Sequence, residues 1–305
     1  MWLILAFVSA ALLGFYDVFK KEALKGNAVI PVLFLNTLFC SLIFVPFIGA
    51  SAGGLLQAGD MFYIPSAGWE VQRYILLKSC IVLASWLFGY FGMKQLPLTI
   101  VGPINATRPV MVLVGALLVF GERLNAWQWT GVALAVLSFF MLSRSGKKEG
   151  IDFKHNRWVF CIVLACLLGA VSGLYDKYLM ASPANGGVGL DRMVVQSYYN
   201  FYQFLMMGAM LLLLWWPRRH QTAPFRWHWC ILLISLFLSA ADFVYFYALS
   251  MDGAMISIVS MVRRGSVVVS FLFGAMVFHE KNLRSKAVDL ALVLLGMVFL
   301  YLGSR

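Results

Sequence analysis

Apolar residues gather into ten long stretches along this chain, at approximately 2 to 19, 28 to 50, 72 to 94, 98 to 119, 127 to 143, 158 to 180, 193 to 216, 227 to 249, 254 to 278 and 286 to 303. A helix needs roughly 20 residues to cross the hydrocarbon core of a bilayer, so each stretch predicts a membrane-spanning helix. Trp127, Trp129, Trp158, Trp215, Trp216, Trp227 and Trp229 fall near the ends of these spans, where the interfacial aromatic belt lies. The polar stretch SRSGKKEGIDFKHNR (143 to 157) parts five spans from five. The expected organisation is a first five-helix half over 1–143, a basic connecting loop over 144–157 and a second half over 158–305, all-α and embedded in the lipid bilayer.

Composition agrees with the pattern. Of 305 residues 62% are hydrophobic and 12% charged, about half the charge a water-soluble domain carries. The net charge of +11 does not point to nucleic acid, because most Lys and Arg sit in short clusters between apolar runs, where membrane topology accounts for them. The N-terminus MWLILAFVSAALLGFYD has an apolar core but no basic segment before it, and reads as a retained first span and not a signal peptide. The five cysteines lie inside or at the ends of spans and read as packing residues.

The two halves echo each other. GFYD (14–17) near the end of span one returns as GLYD (173–176) in span six, and LVFGERL (118–124) before span five as MVFHEKNL (276–283) before span ten. Arg108 in span four falls close to the register of Arg263 and Arg264 in span nine. Motifs recurring in one order indicate an internal duplication, and an odd number of spans per copy forces the copies to insert with opposite orientation. Ten helices as five plus five, short loops, and a Gly-Glu-Arg or His-Glu-Lys turn entering the last helix of each half resemble the drug/metabolite transporter superfamily, specifically its EamA-like members. The resemblance covers the whole chain and implies secondary transport of a small metabolite through a central cavity.

Fifteen basic residues fall in loops on one side of the predicted topology and six on the other. By the positive-inside rule that places both termini outside, whereas the resemblance implies cytoplasmic termini. Arg73 and Lys78 are counted with the six, Lys286 with the fifteen. Three arginines belong to neither side. Arg108, Arg263 and Arg264 lie mid-span, where a guanidinium costs at least about 2.5 to 3.5 kcal/mol and is expected to face a cavity or a partner. The only carboxylate at comparable depth is Asp242 in span eight, so about two positive charges remain uncompensated. An internal ion pair that pins helices is the plainer reading. A phosphate monoester, with about −1.5 to −2 charges and three acceptor oxygens, is the ligand that the surplus would suit. Basic residues in spans four and nine also resemble the phosphate site of the plastid triose-phosphate translocators: Arg108 matches the position in helix four, as Arg in place of Lys, and Arg263 with Arg264 the pair in helix nine. Adjacent helical positions diverge by about 100°, so one of the pair is free to bind Asp242 or a carbonyl.

Asn105, Asn200, Tyr199 and Trp86 join the three arginines and Asp242 as expected substrate-binding residues. Asn36, Gln196, Gln203, Tyr198 and Tyr202 add polarity that either lines the cavity or bonds between helices. Tyr16, Asp17, Tyr175 and Asp176 are candidates for gating or proton coupling, although Lys20 and Lys21 stand close enough to Asp17 for a local ion pair. Glu122 and Glu280 suit the N-terminal turns of spans five and ten. Gly102, Pro103, Pro109 and Gly115 should let span four bend. The four histidines lack metal-ligand spacing and no loop could house a catalytic centre, so neither an enzyme, a metal nor a cofactor is expected. The reading is a secondary transporter of a small anionic, phosphorylated metabolite, coupled to protons or to a counter-substrate, in a bacterial inner membrane. A proton-coupled exporter of amino acids or drug-like metabolites and a lipid-phosphate flippase are the alternatives.

Overall fold

The computed structural model describes residues 2–108, 110–111, 125–147, 153, 155–180, 183, 187–249, 262–277 and 283–303. Glu122, Glu280, Pro109 and Gly115 lie outside them. The described residues form ten α-helices: α1 Trp2–Leu24, α2 Val29–Ala52, α3 Trp69–Gln95, α4 Leu98–Ala106, α5 Ala126–Lys147, α6 Arg157–Met180, α7 Arg192–Met210, α8 Cys230–Leu249, α9 Ser266–Met276 and α10 Leu283–Gly303. Each falls within or around one predicted span. Six of them, in α1, α2, α3, α6, α8 and α10, have stretches long and apolar enough to cross a membrane. α7 is not among these, because it buries Gln196, Ser197, Asn200 and Gln203.

Helix ends are fixed by local chemistry. Asp191 caps α7 by accepting from the amides of Met193 (2.7 Å) and Val194 (3.1 Å), the side-chain bond that a helix N-terminus requires. At the C-terminal end of α3, where carbonyls lack helical partners, Lys21 Nζ donates to Met93 O at 2.7 Å and Leu96 O at 2.6 Å. Lys94 Nζ donates to Asn27 O at 2.6 Å, and Asn27 in turn exchanges hydrogen bonds with the backbone of Arg226. The α1–α2 turn, the end of α3 and the segment before α8 therefore share one end of the bundle. At the opposite end Asn125 Nδ2 donates to Gly303 O at 2.6 Å and Tyr175 OH to Tyr74 O at 3.3 Å.

Packing follows a pattern in which each helix can be exchanged for the one five later. α1 lies on α8 as α3 lies on α6, α1 meets α9 as α4 meets α6, and α2 meets α8 as α3 meets α7. The contacts α2 with α7, α4 with α9 and α5 with α10 map onto themselves. Two apolar clusters close the bundle above and below its middle: one around Tyr16, Leu24, Leu33, Tyr90 and Ile234, the other around Phe44, Ile75, Leu179, Val195 and Tyr199. Among the described residues the five cysteines are free thiols, and Trp127, Trp129, Trp227 and Trp229 are exposed near helix ends.

Candidate functional site

Both stretches that carry the mid-span arginines are interrupted helices. α4 ends at Ala106, and beyond it the amide of Thr107 bonds Ile104 O (3.1 Å) and that of Val110 bonds Thr107 O (3.0 Å). Ahead of α9, Gly265 N bonds Val262 O and Val268 N bonds Gly265 O, each at 2.9 Å. These are i to i+3 bonds, the tightened winding that marks irregular helix and that membrane interiors tolerate where protein covers it or a cavity lies beside it. Arg108 follows the first break, and Arg263 with Arg264 precede the second. α4 packs on α9, and Arg264 lies within electrostatic reach of both Arg108 and Arg263.

Arg263 is the compensated member of the three. It pairs with Asp242 on α8, and its guanidinium carbon stands 4.3 Å from the centre of the Tyr245 ring. The other Asp242 oxygen accepts from Tyr199 OH of α7 at 2.9 Å. Asp242 thus holds one arginine, as the sequence left open, and Tyr199 orients the carboxylate. Arg108 and Arg264 join no ion pair among the described residues. The Arg108 guanidinium lies flat on α6: a Cβ at Gly169 would come within 2.6 Å of Nη2 and 2.7 Å of Nη1, so the absence of a side chain there makes room for the charge. Its Nε is buried and has no partner.

A further cation belongs to this centre. Lys78, counted from the sequence with the loop residues of one side, is 3% exposed in α3 and pairs with Asp176 of α6. The sequence signal was present, since residue 78 lies inside the span expected at 72 to 94. Lys78 Nζ also stands 5.0 Å from the centre of the Tyr199 ring, so Tyr199 separates the two ion pairs, ring toward one and hydroxyl on the other. Lys286 is likewise no loop residue: it is buried, donating to Thr99 Oγ1 at 2.8 Å. At the centre Lys78, Arg108, Arg263 and Arg264 face Asp176 and Asp242, an excess of two positive charges among the described residues.

The remaining candidates separate. Asp17 pairs with Lys20 in its own helix at 2.8 Å, and Lys20 rests over the rings of Tyr16 and Tyr90, whose hydroxyls meet at 3.5 Å. This is the local pair, away from the arginines in sequence and in contact. Trp86 packs on the apolar cluster with Leu83 and Tyr90. Asn105 is half-buried in the last turn of α4, just before the interruption. Asn200 is buried, with its side chain on Gln196 O and its carbonyl on Ser41. Beside it runs a polar seam in which both polar atoms of Gln203, Oε1 of Gln196 and Nδ2 of Asn36 lack a protein partner. Buried amides of this kind call for water or a polar ligand.

Comparisons with known proteins bear on what such a centre serves. Residues 1–144 match the EamA-like transporter family. UDP-galactose transporter homolog 1 of Kluyveromyces lactis is 24% identical over 80 residues, 26% of this chain and 23% of that protein, so the alignment spans less than a quarter of the relative. An uncharacterized transporter in the cobO 3' region of a Sinorhizobium species is 29% identical over 142 residues, 47% of this chain and 96% of that relative. A solved structure, described only as that of a protein, superposes with a TM-score of 0.63 over 99% of this chain and 98% of its own at 14% identity, a likeness of fold alone. Residues 1–144 of this chain are thus similar to the EamA-like transporter family, both curated relatives are named as transporters or transporter homologues, and the helical fold is shared end to end with a solved structure.

Proposed function

We propose that the protein is a secondary transporter of a small anionic, phosphorylated metabolite. The observation that carries this reading is the pair of guanidinium groups, Arg108 and Arg264, that join no ion pair among the described residues, at the interruptions of spans four and nine. An unpaired buried charge is strongly unfavourable, so a centre with two of them calls for a mobile counter-charge. A phosphate supplies it: a dianion with three acceptor oxygens matches two planar forks. Arg263, held by Asp242, borders the site and excludes a third full contact. The seam of Asn36, Gln196 and Gln203 offers amides to hydroxyl groups on the rest of the molecule. The UDP-galactose named for one relative is itself a phosphate-bearing sugar, which agrees in chemical class.

The transport mechanism is alternating access between two five-helix halves of opposite orientation, 1–143 and 158–305, all ten helices crossing the membrane. Support comes from the recurring motifs and from the packing pattern that survives exchange of each helix for the one five later. A bacterial inner membrane is the setting we propose.

Uptake and exchange of a panel of phosphorylated sugars, organic acids and neutral amino acids in liposomes tests the reading, on wild type and on Arg108→Gln, Arg263→Gln and Arg264→Gln. A phosphorylated compound should be preferred, and loss of one charge-assisted contact in R108Q or R264Q should cost about 1.5 to 3 kcal/mol, roughly tenfold to more than a hundredfold in affinity. Lys in place of either should restore only part, because it keeps the charge but not the fork. A neutral or cationic best substrate, transported normally by all three variants, would overturn the anion site in favour of a proton-coupled exporter.

A further inference from the structure

We infer that the Lys78–Asp176 pair is a proton-binding site, and that a proton taken up there crosses the membrane in the same direction as the anionic substrate. The inference rests on the anion reading above and names what drives it. Among the described residues, Asp17, Asp176 and Asp242 stand in ion pairs within the spans, and they are not equivalent. Asp17 is paired within its own helix. Asp242 is held by a guanidinium, which does not give up its proton, and by Tyr199. Of these three, Asp176 is the one whose pair joins the two halves, α6 to α3, and it is 22% exposed while Lys78 is 3% exposed. The acid is the more open member of the pair.

Around it the same α3–α6–α7 contact is made by neutral hydrogen bonds: Tyr175 OH to Tyr74 O at 3.3 Å, Ser79 Oγ to Tyr199 O at 3.3 Å and Tyr202 OH to Gln72 Oε1 at 3.0 Å. When the halves part at this end these bonds exchange with water, but the ion pair leaves two bare charges. An isolated carboxylate in apolar surroundings is neutralised by a proton. The groups beside it are Lys78 from α3, Tyr175 from its own helix, with Tyr74 and Tyr178 next to Tyr175, and Tyr199 from α7 with Asp242 behind it on α8; Arg108 lies two turns back along α6, beside Gly169. Tyrosine and lysine ordinarily keep their protons to about pH 10, so the carboxyl is the member with room for another.

Charge then fixes the direction of coupling. The paired state leaves the centre with two surplus positive charges, and one proton on Asp176 makes three. Each added positive charge in a low-dielectric interior strengthens anion binding, and by linkage the anion strengthens proton binding by the same factor. The proton comes from water on the side where the anion enters and returns to water on the side where it leaves, after which Lys78 and Asp176 pair again. Anion and proton therefore travel together.

Proteoliposomes with radiolabelled glucose 6-phosphate, and inorganic phosphate as second probe, separate the outcomes. Wild type should accumulate a probe against its gradient when the outside is one pH unit more acid, up to about tenfold for one proton per anion. Asp176→Asn, whose exchange of external for internal probe changes in rate with the altered charge of the centre, should accumulate none. Where D176N leaves Lys78 as a bare buried charge and exchange is lost, Lys78→Gln with Asp176→Asn removes both charges together, and the same result is expected of it. Accumulation by the neutral variants equal to wild type, or wild-type exchange with no response to the gradient, overturns the proton site and leaves the anion reading standing. Transport of neither probe by wild type overturns the anion reading and the coupling with it.

Discussion

Replacing Gly169 by alanine probes Arg108 without touching it. The added methyl carbon would lie 2.6 and 2.7 Å from the two terminal nitrogens of Arg108, against the 3.5 to 4.0 Å of an ordinary contact, so the guanidinium must retreat by about 1 Å. The group that yields is the far end of a flexible side chain, and little packing energy is lost. Alanine in place of glycine within a helix contributes up to about 1 kcal/mol of stability, so the thermal midpoint of G169A in detergent should stay within a few degrees of wild type or rise. Binding is another matter. A displacement of about 1 Å takes a hydrogen bond at its optimum out of range, and losing one charge-assisted contact costs about 1.5 to 3 kcal/mol, roughly ten- to a hundredfold in Kd. Anion exchange in liposomes reads the second effect and a melt of the same preparation the first. A folded G169A protein that exchanges the anion at the wild-type rate and affinity would refute the assignment of Arg108 to the substrate. An unfolded one would place the guanidinium in a packing role.

Two other expectations concern the framework. Tyr199→Phe removes the donor to Asp242 from a side chain that is 4% exposed, and should lower stability by about 1 to 3 kcal/mol, read as a fall in the unfolding midpoint monitored by tryptophan emission. Single cysteines placed in 51–71 and in 217–226 should react with an impermeant reagent from opposite faces of the membrane, as the alternation of helix ends requires; reaction from the same face would contradict ten crossings.

Much of this molecule is legible in the order of its residues because the bilayer is a severe solvent. An apolar run of the right length has one fate there, which is why eight of the described helices start and stop within about six residues of the expected spans, spans four and nine being the interrupted ones. The pairing of Asp242 was legible by elimination, since a guanidinium at that depth needs a carboxylate and span eight carries the one at comparable depth. What elimination could not supply is which arginine takes it: Arg263 and Arg264 differ by one residue and about 100° of rotation, and only the placement of α8 decides. Lys78 was missed for a different reason. Counting every lysine near a span end as a loop charge assumes that the ends are known, and α3 begins at Trp69, which draws residue 78 well inside. Its partner Asp176 was marked through its recurrence with Asp17, yet the two sequence repeats have different partners. Recurrence in the sequence carries position, and the neighbouring helix supplies the rest.

The polar face of α7 bears on how the protein is made. A segment carrying Gln196, Ser197, Asn200 and Gln203 gains little by leaving the insertion machinery for lipid alone, since each amide or hydroxyl would enter hydrocarbon without a partner. Ser41 of α2, Ser79 of α3, and Ser239 and Asp242 of α8 are the groups that receive this helix. Two of those helices are synthesised earlier and one later. α7 should therefore stay at the protein-lined site of insertion until α8 emerges, and substitutions that make α7 more apolar should hasten insertion even as they empty the seam.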